Sequence, residues 1–157
     1  GGTLSGTGRR LREAFPDMEI IAVEPERNAV LSTGESGDDD FQGMGPGFVS
    51  DNLDRDLIDR VETVRLENAE DECRRLVREE GVLVGQSSGA TSLVSQRIAS
   101  EIADPDVECP AVPTAFDDVG ESVTSETDGG QQADDCPLVV TVFWDSGERY
   151  LSTGLFD

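Results

Sequence analysis

The sequence predicts an α/β domain built on a doubly wound open sheet. Three observations carry this expectation. Helix-like and strand-like apolar patterns alternate along the chain. The stretch MEIIAVEP holds Ile20, Ile21, Ala22 and Val23 as an unbroken apolar run, the kind found in strands covered on both faces. Glycine- or serine-rich turns stand at the edges of these elements, where open α/β sheets take ligands.

Each element has its own reason. From Leu4 to Phe15, the positions Leu4, Leu11, Ala14 and Phe15 form a helical stripe that Pro16-Asp17 ends. MEIIAVEP is the first strand. Residues 28–53 are rich in Gly, Asp and Ser and read as a long loop; its FQGMGPGF implies backbone turns or a close approach to something. DLIDRVETVRL ends in a short strand around Val61 to Leu66. NAEDECRRLVREEG reads as a helix with Asn68 as N-cap, carboxylates in its first turn, arginines later and Gly81 as C-cap. VLVG follows, then SSGATSLVSQRIASEIA, a helix with Leu93, Val94, Ile98, Ala99 and Ile102 on one side. Residues 105–137 are dominated by Asp, Glu, Ser, Thr, Gly and Pro; they cannot bury enough apolar surface to offset chain entropy, which predicts a disordered acidic insertion loop. LVVTVFW, residues 138–144, is the strand with the strongest pattern, and the polar turn DSGERYLST succeeds it.

Composition limits function. A length of 157 residues with so long a polar tract allows one domain and one modest core. The 34 acidic residues against 12 basic ones give a net charge of -22, and all the basic residues are arginine. Such a surface repels nucleic-acid phosphates and anionic lipid, so both partner classes are excluded. Acids scattered over a chain with periodic apolar segments point to a salt-adapted globular surface rather than wholesale disorder. Cys73, Cys109 and Cys136 show no C-x-x-C spacing and there is no histidine, so no metal site is expected. Reduced thiols and a soluble cytoplasmic protein are the expectation, with no secretory signal and no apolar run of membrane-spanning length.

Three turns could carry chemistry. Gly1 and Gly2 precede a helix start and Thr3 adds a hydroxyl; free N–H groups and a positive dipole end suit a phosphate there. GQSSGA opens the last long helix, and DSGER follows the last strand. Taken singly, each has a plain structural reading. Thr3, Ser87 or Ser88 would cap a helix, Asp145 would form a turn, and Arg149 would pair with one of many acids.

Taken together and in order, GGTLSGTGR, VEP, QGMGPGF, EEGVLVGQSSGA and DSGERYLSTGLF resemble the C-terminal half of cysteine synthase (O-acetylserine sulfhydrylase), a fold type II pyridoxal-phosphate enzyme. The resemblance covers nearly everything but the acidic insertion. It implies a partial three-layer open sheet, tryptophan synthase β-like, truncated at its N-terminus, with residues 1–157 forming one partial catalytic domain. In that family a G-T-G-G-T loop holds the cofactor phosphate, which assigns phosphate contacts to Gly1, Gly2 and Thr3. Ser87 corresponds to the serine facing the pyridine nitrogen, and a neutral hydroxyl there would leave the ring a weaker electron sink than a carboxylate would. Asp145 belongs to a turn beside the cofactor ring, with Trp144 in place of the family's proline. Gly43 and Gly45 lie in the substrate loop, with Pro46 in place of alanine.

The resemblance implies synthesis of L-cysteine from O-acetylserine, or a similar activated serine, and sulfide, with pyridoxal 5'-phosphate as cofactor. The Schiff-base lysine such catalysis needs is absent, so no catalytic residue is assigned in this chain and the chain alone is expected to be inactive. Implied partners are the amino-acid substrate, sulfide, a missing N-terminal half and, when complete, a second copy in a homodimer. Cystathionine β-synthase, or another β-replacing or eliminating lyase of the same fold type, is the related alternative. A non-catalytic acidic remnant or interaction module is the alternative of a different class.

Overall fold

A computed structural model of the chain describes residues 1–107 and 136–157; most of the expected acidic insertion at 105–137 lies outside the described residues. Two compact units are present, Gly1–Gln96 with Thr141–Asp157, and Arg97–Val140. The first carries the elements that matter for function.

Helix α1 (Gly2–Ala14) opens it, with Gly1 as N-cap. Its buried face is not the expected stripe. Ser5 and Gly8 are buried, whereas Ala14 and Phe15 are exposed. Two small residues three apart let the helix backbone approach its neighbour: a Cβ on Gly8 would lie 3.1 Å from Ile20 Cδ1. Ser5 Oγ accepts the Asp54 N–H at 2.9 Å.

Strand β1 (Ile21–Pro25) pairs in parallel with β2 (Arg60–Val64), in register from Ile21↔Arg60 to Pro25↔Val64. The two form an α/β core with a partial sheet, as expected. Burial along β1 alternates at first, with Ala22 and Glu24 buried and Ile21 and Val23 half-buried, so the apolar run is not covered equally on both faces. Glu24 is a carboxylate inside this sheet, and it has work to do. Its two oxygens accept the N–H groups of Leu31 and Ser32, each at 2.8 Å, and the Ser32 hydroxyl at 2.6 Å. These bonds hold a one-turn helix, α2 (Val30–Thr33), within what the sequence reads as plain loop.

Helix α3 (Leu66–Arg75) begins two residues before the expected Asn68 cap. Arg65 is its N-cap, and Arg65 holds Glu26 through its guanidinium at 2.8 Å. The helix runs into a π-helical turn, Leu76–Glu80, and Gly81 ends it at φ 71, as expected of a glycine C-cap. Helix α4 (Gln86–Ile102) follows. Between them VLVG forms no full strand: Val84 makes a single antiparallel bridge to Ser146, and the Gly147 N–H donates to the Leu83 carbonyl at 3.1 Å. Cys73, Leu76, Val84, Tyr150 and Leu155 make a buried apolar cluster beneath this junction, with Phe156 packed on it.

Two expectations are corrected. Residues 138–144 form no strand, and Leu138 is 80% and Trp144 52% exposed. A strand exists only with a hydrogen-bonding neighbour, and among the described residues this segment has no ladder partner. The thiols are not all reduced: Cys136 is disulfide-bonded, while Cys73 is free and buried. The contrary expectation came from compartment chemistry, which does not say where sulfurs sit in a fold. Among the described residues no helix is long and apolar enough to cross a membrane.

Candidate functional site

The start of α1 is open to an anion. The Gly1 carbonyl takes the first helical bond, from the Ser5 N–H at 3.0 Å, so the N–H groups of Gly2, Thr3 and Leu4 have no acceptor within the helix. No acidic residue stands in this first turn, a notable gap in a chain of net charge -22. Nothing would meet a Cβ on Gly2 within 4 Å, while one on Gly1 would lie 2.7 Å from Leu53 Cβ. Thr3 sits inside the helix, so its hydroxyl is not the N-cap that the structural reading made it.

A cleft of about 600 Å³ lies beside this helix start, lined by Gly1, Leu4, Ala22, Val23, Glu24 and the loop residues Phe41 and Gly43 to Phe48, among others. Consecutive strand residues point to opposite faces, so a cleft touching Ala22, Val23 and Glu24 runs along the edge of β1. The loop forming its far wall needs its glycines: Gly43, Gly45 and Gly47 have φ of 87, 66 and 79. At Gly45 a Cβ would also land 2.5 Å from Pro25 Cγ. Asn28, which sequence reasoning missed, anchors this loop. It is buried, its Nδ2 donates to the Gly45 carbonyl at 2.7 Å, and its Oδ1 accepts the Gly37 N–H at 3.2 Å.

The turn opening α4 separates two adjacent serines. The Gly85 carbonyl accepts the N–H groups of Ser88 and Gly89 at 3.0 and 3.1 Å, so both serines lie within the first turn and neither is its cap. Ser88 is fully buried, and its Oγ accepts the Trp144 N–H at 3.1 Å. Ser87 is half-buried, and among the described residues its hydroxyl has no partner.

Asp145 lies against the same turn. Its Oδ2 accepts the Tyr150 hydroxyl at 2.8 Å, and its Oδ1 is buried with no partner. A Cβ on Gly85 would sit 2.6 Å from that Oδ1 and 2.3 Å from the Tyr150 ring, so only glycine admits this contact. Burial, then the Asp145 carboxylate, pushes the Tyr150 hydroxyl up to about 12, and it stays a proton donor at neutral pH. Below the turn Cys73 donates to the Gly85 carbonyl at 3.2 Å, its thiol pushed up to about 11 mainly by burial, which keeps it unreactive.

The structure therefore brings Gly1, Gly43 and Gly45 to one cleft, and Asp145 to the turn that carries Ser87. Gly2, Thr3, Ser87 and Asp145 do not line that cleft. The two groups are linked through Gln86, whose Oε1 accepts the Gln42 N–H at 2.9 Å. Gln86 and Tyr150 were also missed by the sequence reading; the only signal was that each sits inside a quoted turn. The open N–H groups at the start of α1 suit an anion, and at the α4 turn Ser87 offers a hydroxyl with no partner among the described residues.

Comparison with known proteins places the chain in a family. Residues 1–109 match a family described as "Pyridoxal-phosphate dependent enzyme". A cysteine synthase of Staphylococcus aureus is 36% identical over 156 residues, covering 99% of this chain and 40% of that protein. Cysteine synthase from Entamoeba histolytica superposes with a TM-score of 0.74 at 28% identity, over 98% of this chain and 37% of that one. O-acetylserine dependent cystathionine β-synthase from Helicobacter pylori superposes with a TM-score of 0.69 at 31% identity, over 99% and 40%. The chain thus spans about 40% of the length of the curated relatives it matches.

Proposed function

We propose a function from one premise: the chain belongs to the pyridoxal-phosphate dependent enzyme family. The proposed activity of the whole protein is β-replacement that makes L-cysteine from O-acetylserine, or a similar activated serine, and sulfide. Bound pyridoxal phosphate supplies the electron sink for exchanging the substituent on the substrate's β-carbon. The backbone N–H groups of Gly2 and Thr3, with Gly1 as the flexible entry, hold its phosphate. The Ser87 hydroxyl would hydrogen-bond the ring nitrogen, where a neutral group supplies less charge stabilisation than a carboxylate, and Asp145, bonded to Tyr150, would order the turn that carries Ser87. Gly43 and Gly45 shape the loop through which the amino acid enters. No lysine exists in this chain, so the amine that anchors the cofactor and moves the substrate proton comes from polypeptide outside these residues. The chain alone is inactive, and the completed enzyme is a homodimer.

The observation that carries this reading is the contrast between the two serines: Ser88 is buried and used, while the half-buried Ser87 has no partner for its hydroxyl among the described residues. The test joins this chain to the lysine-bearing remainder of a relative and measures cofactor absorbance and cysteine formation. Ser87→Ala should weaken cofactor binding about tenfold, the size of one lost hydrogen bond. A preference for homocysteine over sulfide would move the assignment to cystathionine β-synthase. Absence of bound cofactor in the joined protein would leave a non-catalytic acidic module.

The acidic surface belongs to the same reading, as that of a protein adapted to high salt. Self-repulsion at a net charge of -22 is screened by added salt. The urea midpoint is expected to rise between dilute buffer and molar KCl, and an unchanged midpoint would remove the halophilic assignment.

A further inference from the structure

Gln86 stands in the turn between Gly85 and Ser87, and none of the roles above uses its side chain. That side chain is 4% exposed and satisfied at both ends. Its Oε1 accepts the Gln42 N–H at 2.9 Å, and its Nε2 donates to Glu70 Oε1 at 2.8 Å. A primary amide has one accepting and one donating end. Turning it over would set the amide group against the Gln42 N–H and its oxygen against the Glu70 carboxylate, so the orientation is fixed. Glu70 is itself held on α3 by Arg74 at 3.6 Å.

The segment so held is compliant. It contains Gly43, Gly45 and Gly47, all at positive φ, and Asn28 ties its Gly45 carbonyl to the end of β1. Only the Gln42 bond runs from this segment to the turn with Ser87 among the hydrogen bonds of the described residues. We propose that Gln86 is a positioning residue, a buried amide that sets the 41–48 loop against the Ser87 turn so that the two act as one wall. The inference rests on the reading of Gly43, Gly45 and Ser87 given above, but its test needs no cofactor, so the two can fail separately.

The test is residue-resolved amide hydrogen exchange on the 157-residue chain. Gln86→Met, similar in size but without either polar end, should speed exchange at Gln42 by about tenfold. Exchange in α3 and α4 should stay as in the parent. Gln86→Glu combined with Glu70→Gln keeps an acceptor for the Gln42 N–H and turns the Glu70 end into an amide donor for the second carboxylate oxygen, and should preserve the protection of Gln42. Asn28→Ala should release Gly37 while Gln42 stays protected. Unchanged exchange at Gln42 in Gln86→Met overturns the proposal, as does an equal rise in α3 and α4, which would mark a general packing role. Should Gln86→Met fail to fold, the Gln86→Glu/Glu70→Gln pair decides: a protected Gln42 supports the proposal, and an unprotected one in an otherwise protected chain overturns it.

Discussion

Gly89→Ala is expected to destabilise this chain by about 3 kcal/mol, at the upper end of what overpacking of a core costs. The added methyl would lie 2.2 Å from the Ala69 carbonyl oxygen, 2.6 Å from Cys73 Sγ and 3.1 Å from the Ala69 carbonyl carbon. None of these is the free end of a flexible side chain. Ala69 and Cys73 are fully buried, and Cys73 is bonded to the Gly85 carbonyl, so relief requires α3 and α4 to separate. Gly6→Ala makes the opposite change. It adds the same methyl to an exposed helix position with nothing within 4 Å, and should stabilise by up to about 1 kcal/mol through helix propensity. Urea midpoints at one fixed salt concentration should move in opposite directions for the two variants. A Gly89→Ala midpoint equal to the parent's would mean that the helices do not approach so closely.

The difference between those two glycines also marks what the sequence makes legible. Apolar periodicity and breakers suffice to find α1, β1, α3 and α4, because these patterns are local and every residue reports on its neighbours. The order of the glycine turns is enough to recognise a cofactor enzyme. Contacts between distant residues leave no such trace. Gln42 and Gln86 are 44 positions apart, and no pattern in either segment announces their bond. Nothing local marks Glu24 as a buried acid, yet it is buried and accepts two N–H groups of α2. The α1 stripe was misjudged for a related reason: close helix packing selects small residues such as Ser5 and Gly8, which hydrophobicity does not register. For 138–144 the pattern states a capacity to pair, and pairing depends on a partner that the pattern does not contain. At the site, the resemblance alone singles out Ser87, and the geometry adds that Ser88 is buried and bonded to the Trp144 N–H, which no sequence pattern announces.

Glu72→Gln should destabilise by roughly 2–3 kcal/mol at neutral pH, because it breaks a buried charge network from one side. Glu72 is 5% exposed, and its carboxylate accepts four hydrogen bonds: from Arg75 Nε and Nη2 at 2.9 Å each, from the Ser92 hydroxyl at 2.8 Å and from Gln96 Nε2 at 2.7 Å. An amide in its place keeps the volume but turns one acceptor into a donor facing other donors. Burial alone would raise the Glu72 carboxyl, yet the bonds from Arg75, Ser92 and Gln96 outweigh it and hold the group below its ordinary value of 4.5. A carboxyl lowered on folding adds stability that is fully present above its unfolded value and is lost as pH falls through the folded one. The parent should therefore lose its advantage over Glu72→Gln on acidification below about pH 4.5. Glu26 and Asp59 are lowered too, so the parent's own pH profile cannot isolate this group, but both acids are unchanged in the variant and cancel in the difference. If the gap between the two proteins stayed constant from neutral pH into the acid range, the α3–α4 junction would be held by packing alone and not by the ionised carboxylate.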